Sequence, residues 1–135
     1  MEIFNITDKE DQKIKSYPYK GRELPVKDVW IRWLTQAGEE ESSPEYGFRL
    51  FTVGPGGEIP IHNHFYYQTM CILTGNLIVR SHDIKTDEVV QERIVGPYDL
   101  VFVPSMEPHS MRNQSDSEEA TFFCCIANVY GDELK

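Results

Sequence analysis

The chain has 135 residues, a length that suits one domain with a single core. Its formal net charge is −9, from 13 lysines and arginines against 22 aspartates and glutamates, which argues against a nucleic-acid partner. No run of eighteen apolar residues could span a membrane, so we expect no membrane partner. The N-terminal segment lacks the apolar core of a secretory signal, and three cysteines, two of them adjacent, do not predict a disulfide framework. We therefore expect a cytoplasmic protein.

The N-terminal part of the chain differs in character from the rest. Residues 1–27 are largely polar and charged and are predicted to form an N-terminal arm, followed by a single barrel domain over 28–135. The segment 26–35 is rich in β-branched and aromatic residues, which predicts a strand. The acidic segment 36–47 contains glycine and proline and is predicted to be a loop.

From residue 47 onward the chain has the pattern of short strands separated by turns. Gly-Pro-Gly-Gly at 54–57 and Gly75-Asn76 are both predicted turns, and no convincing helical period interrupts the series. Many short strands with frequent turns indicate an all-β sandwich or barrel. The predicted strands cover residues 47–53, 58–64, 68–74, 77–81, 88–95, 99–104, 108–113 and 120–129.

Two histidines one residue apart, His62 and His64, lie on a predicted strand. Side chains alternate along a strand, so both imidazoles point to the same face and can bind one metal ion there. Two surface histidines on a strand edge would give the same pattern. The pair alone therefore leaves both interpretations open.

The spacing around this pair resembles the first motif of the cupin superfamily, G-x5-H-x-H-x(3,4)-E-x6-G. The chain matches it with Gly56, His62, His64, Gln68 and Gly75. Glutamine stands where the superfamily usually has glutamate.

A second stretch resembles the second cupin motif, G-x5-P-x-G-x2-H-x3-N. Pro104, His109 and Asn113 match it in register, whereas Tyr98 and Met106 stand at the two glycine positions. These two departures put the local turn geometry in question, but not the histidine.

The resemblance implies a double-stranded β-helix, that is, a jelly-roll barrel. It also implies one divalent ion (zinc, iron, manganese, nickel or copper) held by His62, His64 and His109, with Gln68 as a fourth ligand or as the partner of a bound water. A neutral glutamine leaves the site one charge more positive than glutamate would. We therefore predict weaker metal binding, which Gln68→Glu would tighten, and a preference for anionic ligands. A degenerate site that binds no metal is the alternative.

Strand alternation also predicts which side chains share the inner face with these ligands. An apolar pocket beside the metal is expected, although the same residues could simply belong to the core. The predicted pocket residues are Met70, Ile72, Phe102 and Met111.

Three residues are candidates for a part in catalysis, each with a plain alternative. Gln68 could act through the metal or its water. Tyr66 could act as an acid or contact a substrate, or it could pack at a strand bend. Arg49 could point inward and bind a carboxylate, or it could lie on the outer face.

The resemblance implies a metal-dependent enzyme acting on a small, anionic molecule. Dioxygenase chemistry and Lewis-acid isomerase, lyase or cyclase chemistry both stay open. A module that binds or senses a small ligand or metal without turnover is the alternative, and a storage role ranks below both because the chain is short. A homodimer is expected, since the aromatic strand at 29–34 would need a cover.

Overall fold

Strands dominate the fold of residues 1–36 and 43–127, the part of the chain that this computed structural model describes. A single turn of 3-10 helix, Ile6–Asp8, precedes them, and no helix in the described part is long and apolar enough to cross a membrane. The all-β prediction is confirmed. The strands are β1 Gln12–Lys13, β2 Ser16–Tyr19, β3 Arg22–Pro25, β4 Lys27–Thr35, β5 Tyr46–His62, β6 Gln68–Thr74, β7 Leu77–His82, β8 Val89–Val95, β9 Leu100–Val103, β10 His109–Asn113 and β11 Ala120–Ala127.

The strands pair in the order β8-β7-β10-β5-β11-β6-β9, with β4 added to β5 and β1 added to β4. Every one of these pairings is antiparallel. The sheet curls so that alternate side chains from its strands meet inside as one apolar cluster. Members of this core include Val29, Phe51, Ile72, Leu77 and Phe122. This is the jelly-roll barrel that the resemblance implied.

Strand β5 departs from the prediction. The sequence 54–57 was expected to reverse the chain, yet β5 runs through it as one strand of 17 residues. The first half pairs with β4 and β11, and the second half pairs with β10, so the glycines bend the strand from one side of the barrel to the other. Gly56 has φ +65°, and a Cβ at Gly57 would lie 2.9 Å from three main-chain oxygens. The bend therefore depends on glycine.

The remaining predicted strands lie within two residues of the observed ones, as far as the structure describes them. Of the predicted loop 36–47, residues 37–42 lie outside the described part, as do residues 128 and 129 of the last predicted strand. Tyr46 and Gly47 belong to β5 rather than to the loop.

The N-terminal arm is more structured than an extended segment. Strand β1 pairs with β4, while β2 and β3 form a hairpin. The hairpin is attached to the turn between β7 and β8, where the Tyr19 hydroxyl donates to the Asp87 carboxylate at 2.6 Å and Lys20 pairs with Asp87 at 2.9 Å. The boundary between arm and barrel at residues 27 and 28 stays a prediction, although β4 does begin at Lys27.

The two substituted glycine positions of the second motif keep a glycine-like backbone. Tyr98 has φ +70° and Met106 has φ +67°, both in the left-handed region. The turns are therefore retained despite the missing glycines, at a cost in backbone strain that glycine would not carry.

Candidate metal centre

Two neighbouring histidines and a third from a distant part of the chain meet at one end of the barrel. His62 is the last residue of β5, His109 is the first residue of β10, and the two are direct partners across the sheet. His64 follows two residues after β5. The ligand nitrogens of all three lie within 4.8 Å of one another, close enough to share one ion.

Main-chain carbonyls fix the tautomer of every ring. Each Nδ1 lies 2.9 Å from the carbonyl oxygen of a residue two positions away, so Nδ1 carries the hydrogen and donates it. The Nε2 lone pairs are thereby left free, and within the described residues those of His64 and His109 are buried without a hydrogen-bond partner. Imidazole rings that are oriented by a carbonyl contact at Nδ1 and have a free Nε2 lone pair are suited to binding a divalent metal. The three carbonyls belong to Pro60, Tyr66 and Glu107.

Burial keeps the three imidazoles neutral. Loss of solvent lowers the pKa of His62 to about 4 and that of His109 to about 3. The pKa of His64 is also lowered, chiefly by burial. At pH 7 the rings are therefore in the form that binds a metal.

Two tyrosines stack on two of the histidines. Tyr17 lies on His62 with ring centroids 4.6 Å apart and an interplanar angle of 11°, and Tyr66 lies on His64 at 4.2 Å and 8°. Burial raises the pKa of both phenols, so both are uncharged at neutral pH. Tyr66 was a candidate from the sequence, and the structure places it at the site. The sequence analysis did not identify Tyr17, which lies in the charged N-terminal arm.

Gln68 is the first residue of β6 and lies in the same cavity as the histidines. Its side chain is buried, and the amide is near enough to the His64 ring to contribute to that pKa. The structure thus brings Gln68 beside the histidines. Its role as a fourth ligand stays a prediction.

The cavity in front of the histidines has a volume of about 400 Å³, within the range of small-molecule sites. Met70 and Met111 line it, as predicted, together with Phe51 and Phe122. Ile72 is fully buried but belongs to the core and does not line the cavity.

The prediction for Phe102 is wrong. Val103 is the β9 residue that pairs with Gln68 and points inward, so its neighbour Phe102 points out and is 61% exposed. Phe102 stacks instead on Tyr67 at the surface. The predicted alternation of β9 was therefore out of phase by one residue.

Of the two positions considered for Arg49, the structure shows the inner face of the barrel. Its side chain lines the cavity, is 6% exposed and donates from Nη2 to the Sγ of Cys124 at 2.7 Å. Cys124 is buried, whereas Cys125 points to the other face. The cavity therefore combines three imidazoles, two amides, two phenols, a thiol and a guanidinium.

The barrel, the two motifs and the histidine cluster define a jelly-roll protein with a candidate metal centre. The family described as the cupin domain (Cupin_2) matches residues 49–126. The chain belongs to this family.

Known proteins that are similar to this chain match it over different shares of its length. The 1-methylthio-D-xylulose 5-phosphate methylsulfurylase of Rhodospirillum rubrum is 35% identical over 85 residues, which are 63% of this chain and 49% of that protein. This chain therefore spans about half the length of the curated relative that it matches.

Two solved structures cover nearly the whole chain. The polyketide cyclase RemF from Streptomyces resistomycificus has 21% identity and a TM-score of 0.71, over 98% of this chain and 88% of that one. A cupin-2 domain protein from Rhodospirillum rubrum has 21% identity and a TM-score of 0.69, over 97% of this chain and 77% of that one. At these identities the likeness shows the fold.

Proposed function

We propose that this protein is a divalent-metal-dependent enzyme that acts on a small, anionic organic molecule. The observation that carries the proposal is a cluster of three neutral histidines at the wall of a cavity, in which the Nε2 atoms of His64 and His109 are buried without a hydrogen-bond partner. Buried imidazoles without partners cost stability, and a bound ion removes that cost.

The residues around the histidines have separate tasks in this proposal. Carbonyl contacts at Nδ1 and the stacked rings of Tyr17 and Tyr66 hold two of the imidazoles in orientation. The apolar wall excludes water from the bound molecule. A divalent ion bound here would supply Lewis acidity, which polarises a substrate oxygen or acidifies a water.

The neutral ligand set favours Lewis-acid chemistry over dioxygenation. Gln68 offsets none of the ion's charge, so the ion's acidity stays high. The names of two similar proteins support this direction, since one is a methylsulfurylase of a sugar phosphate and the other is a polyketide cyclase. Isomerase, lyase and cyclase reactions on a small anion are therefore the classes that we favour.

The test uses the protein loaded in turn with zinc, manganese, nickel and iron, incubated with a panel of small organic acids and sugar phosphates. We expect metal-dependent conversion of at least one compound without consumption of dioxygen. An oxygen electrode with the iron-loaded sample separates the two chemistries, because stoichiometric oxygen uptake would assign the protein to the dioxygenases instead.

A non-catalytic binding module is the second candidate, and one observation favours it. Burial raises the pKa of Tyr17, Tyr66 and Cys124, so none of these three cavity residues exchanges protons readily at neutral pH. Saturable binding of a compound that is recovered unchanged with every metal would favour this candidate over the enzyme.

A further inference from the structure

Besides the histidines, the cavity holds a second strongly polar feature, the guanidinium of Arg49. This residue lies in the first half of β5, opposite Trp33 of β4 and Cys124 of β11. Its side chain points into the barrel and lines the cavity. The residue is only 6% exposed to solvent. A charge so deeply buried needs a physical reason.

Nothing in the described part of the chain neutralises this charge. The four ion pairs among residues 1–36 and 43–127 all use other cations. The Nε of Arg49 is buried without a hydrogen-bond partner, and Nη2 donates to a thiol. Burial raises the pKa of that Cys124 thiol and of the nearby Tyr66 phenol, so neither supplies a negative charge at neutral pH.

Two aromatic rings, those of Trp33 and Phe51, pack against the guanidinium. The Cζ of Arg49 lies 5.2 Å from the Trp33 ring and 5.0 Å from the Phe51 ring, both within cation–π range. These contacts fix the position of the charge without cancelling it. The guanidinium is thus held in a fixed position, and none of the described residues supplies a counterion for it.

The guanidinium and the histidines act on the same space. The positive charge of Arg49 contributes to lowering the pKa of both His62 and His64, which places it within electrostatic reach of the two rings. All of these residues line one cavity of about 400 Å³. One small molecule can therefore face both groups at once.

We propose that Arg49 binds the carboxylate of the small molecule that occupies this cavity. A guanidinium presents paired N–H groups that match the two oxygens of a carboxylate. Among the described residues that line the cavity, Arg49 is the one with a fixed positive charge, which suits a single negative charge better than a phosphate dianion. The walls formed by Phe51, Met70 and Phe122 suit an apolar or aromatic body.

The inference rests on the proposed function for one point only, that another polar group of the ligand faces the three histidines. Recognition of the carboxylate by Arg49 requires no metal. The two ideas can therefore fail separately.

The test is a calorimetric titration of the protein, before and after metal removal with a chelator. The probes are benzoate, its uncharged isostere benzamide, and phenyl phosphate. We expect the wild type to bind benzoate more tightly than benzamide by about tenfold or more. Arg49→Met should abolish this preference, and Arg49→Lys should keep part of it.

Arg112→Gln is the matched control, because Arg112 is an exposed arginine on β10 and does not line the cavity. Equal binding of benzoate and benzamide by the wild type would overturn the proposal, and that comparison needs no variant to fold. Retention of the preference in Arg49→Met would also overturn it, and tighter binding of phenyl phosphate would overturn the monocarboxylate class. A parallel zinc titration reports on the metal site alone, so its failure would count against the proposed function and not against Arg49.

Discussion

At the scale of single residues, the proposed site is built from groups that carry no negative charge. His62, His64 and His109 are kept neutral by burial, and Gln68 is neutral by nature. Arg49 adds a positive charge to the same cavity. A divalent ion would make this cavity strongly positive, although the chain as a whole carries −9. A positive cavity of this kind favours an anionic ligand.

The first prediction concerns Gln68. Replacement by glutamate adds a negative charge beside the ion, so Gln68→Glu should tighten zinc binding by about tenfold or more. Calorimetric titration of metal-free protein measures the change. Gln114→Glu adds the same charge at an exposed position and should leave the affinity unchanged. Weaker zinc binding in Gln68→Glu would show that the glutamine itself is needed.

The second prediction concerns pH. Burial lowers the pKa of His62 to about 4 and of His109 to about 3, against 6.5 in the unfolded chain. The unfolded state therefore takes up more protons below pH 6.5, and the metal-free protein should lose stability as the pH falls from 6.5 toward 4, by on the order of 3 kcal/mol for each of the two histidines.

Urea unfolding of metal-free protein across this pH window measures that loss. The double variant His62→Gln/His109→Gln lacks both groups and should show a shallower decline. Parallel curves for the two proteins would mean that the histidines do not titrate as their burial predicts.

At the scale of secondary structure, the site depends on where elements end. The last residue of β5, the first of β10 and the first of β6 supply His62, His109 and Gln68. Strand ends combine a rigid backbone with access to the barrel opening. The β2–β3 hairpin adds Tyr17 from outside the barrel proper.

The histidine cluster could be predicted from the sequence because His62 and His64 match the first cupin motif and His109 matches the second. Met70 and Met111 could be predicted through simple alternation. Tyr17 could not be predicted, because the contact of the arm with His62 depends on long-range packing that leaves no local pattern. The phase of β9 was wrong because a four-residue strand with apolar residues on both faces has no clear alternation.

The third prediction belongs to the turn before β9. Tyr98 is 87% exposed and has φ +70°, so its side chain contributes little while its backbone is strained. Tyr98→Gly and Tyr98→Ala both remove the side chain, but only glycine relieves the strain. Tyr98→Gly should therefore be more stable than Tyr98→Ala by about 1 kcal/mol. Thermal and urea unfolding of the two variants measure the difference, and equal stability would contradict the strained geometry.

At the scale of the whole molecule, the apolar surface lies elsewhere than the sequence suggested. The strand at 29–34 was expected to need a partner, but Val29, Ile31 and Leu34 are buried within the chain. Exposed apolar side chains instead mark β8, β9 and the turn between them. They are Val89, Val90, Ile94, Tyr98, Leu100 and Phe102.

The homodimer stays a prediction, and this surface is where we expect a second copy to pack. Leu100 is 69% exposed, so Leu100→Glu should leave the chain folded and shift it toward monomer. Light scattering at micromolar concentration measures the oligomeric state. Ile3→Glu changes an exposed apolar residue of the N-terminal arm, outside these two strands and their turn, and serves as the control. A wild-type monomer would contradict the prediction.

The central claim is that three histidines form one metal site, and a zinc titration of chelator-treated protein tests it most directly. We predict one ion bound per chain, with binding lost in His62→Gln/His109→Gln. His82→Gln should bind as the wild type does, because His82 lies outside the cluster and contacts Ser110. A wild type that binds no zinc, manganese, nickel or iron, or a double variant that binds them equally well, would contradict the claim.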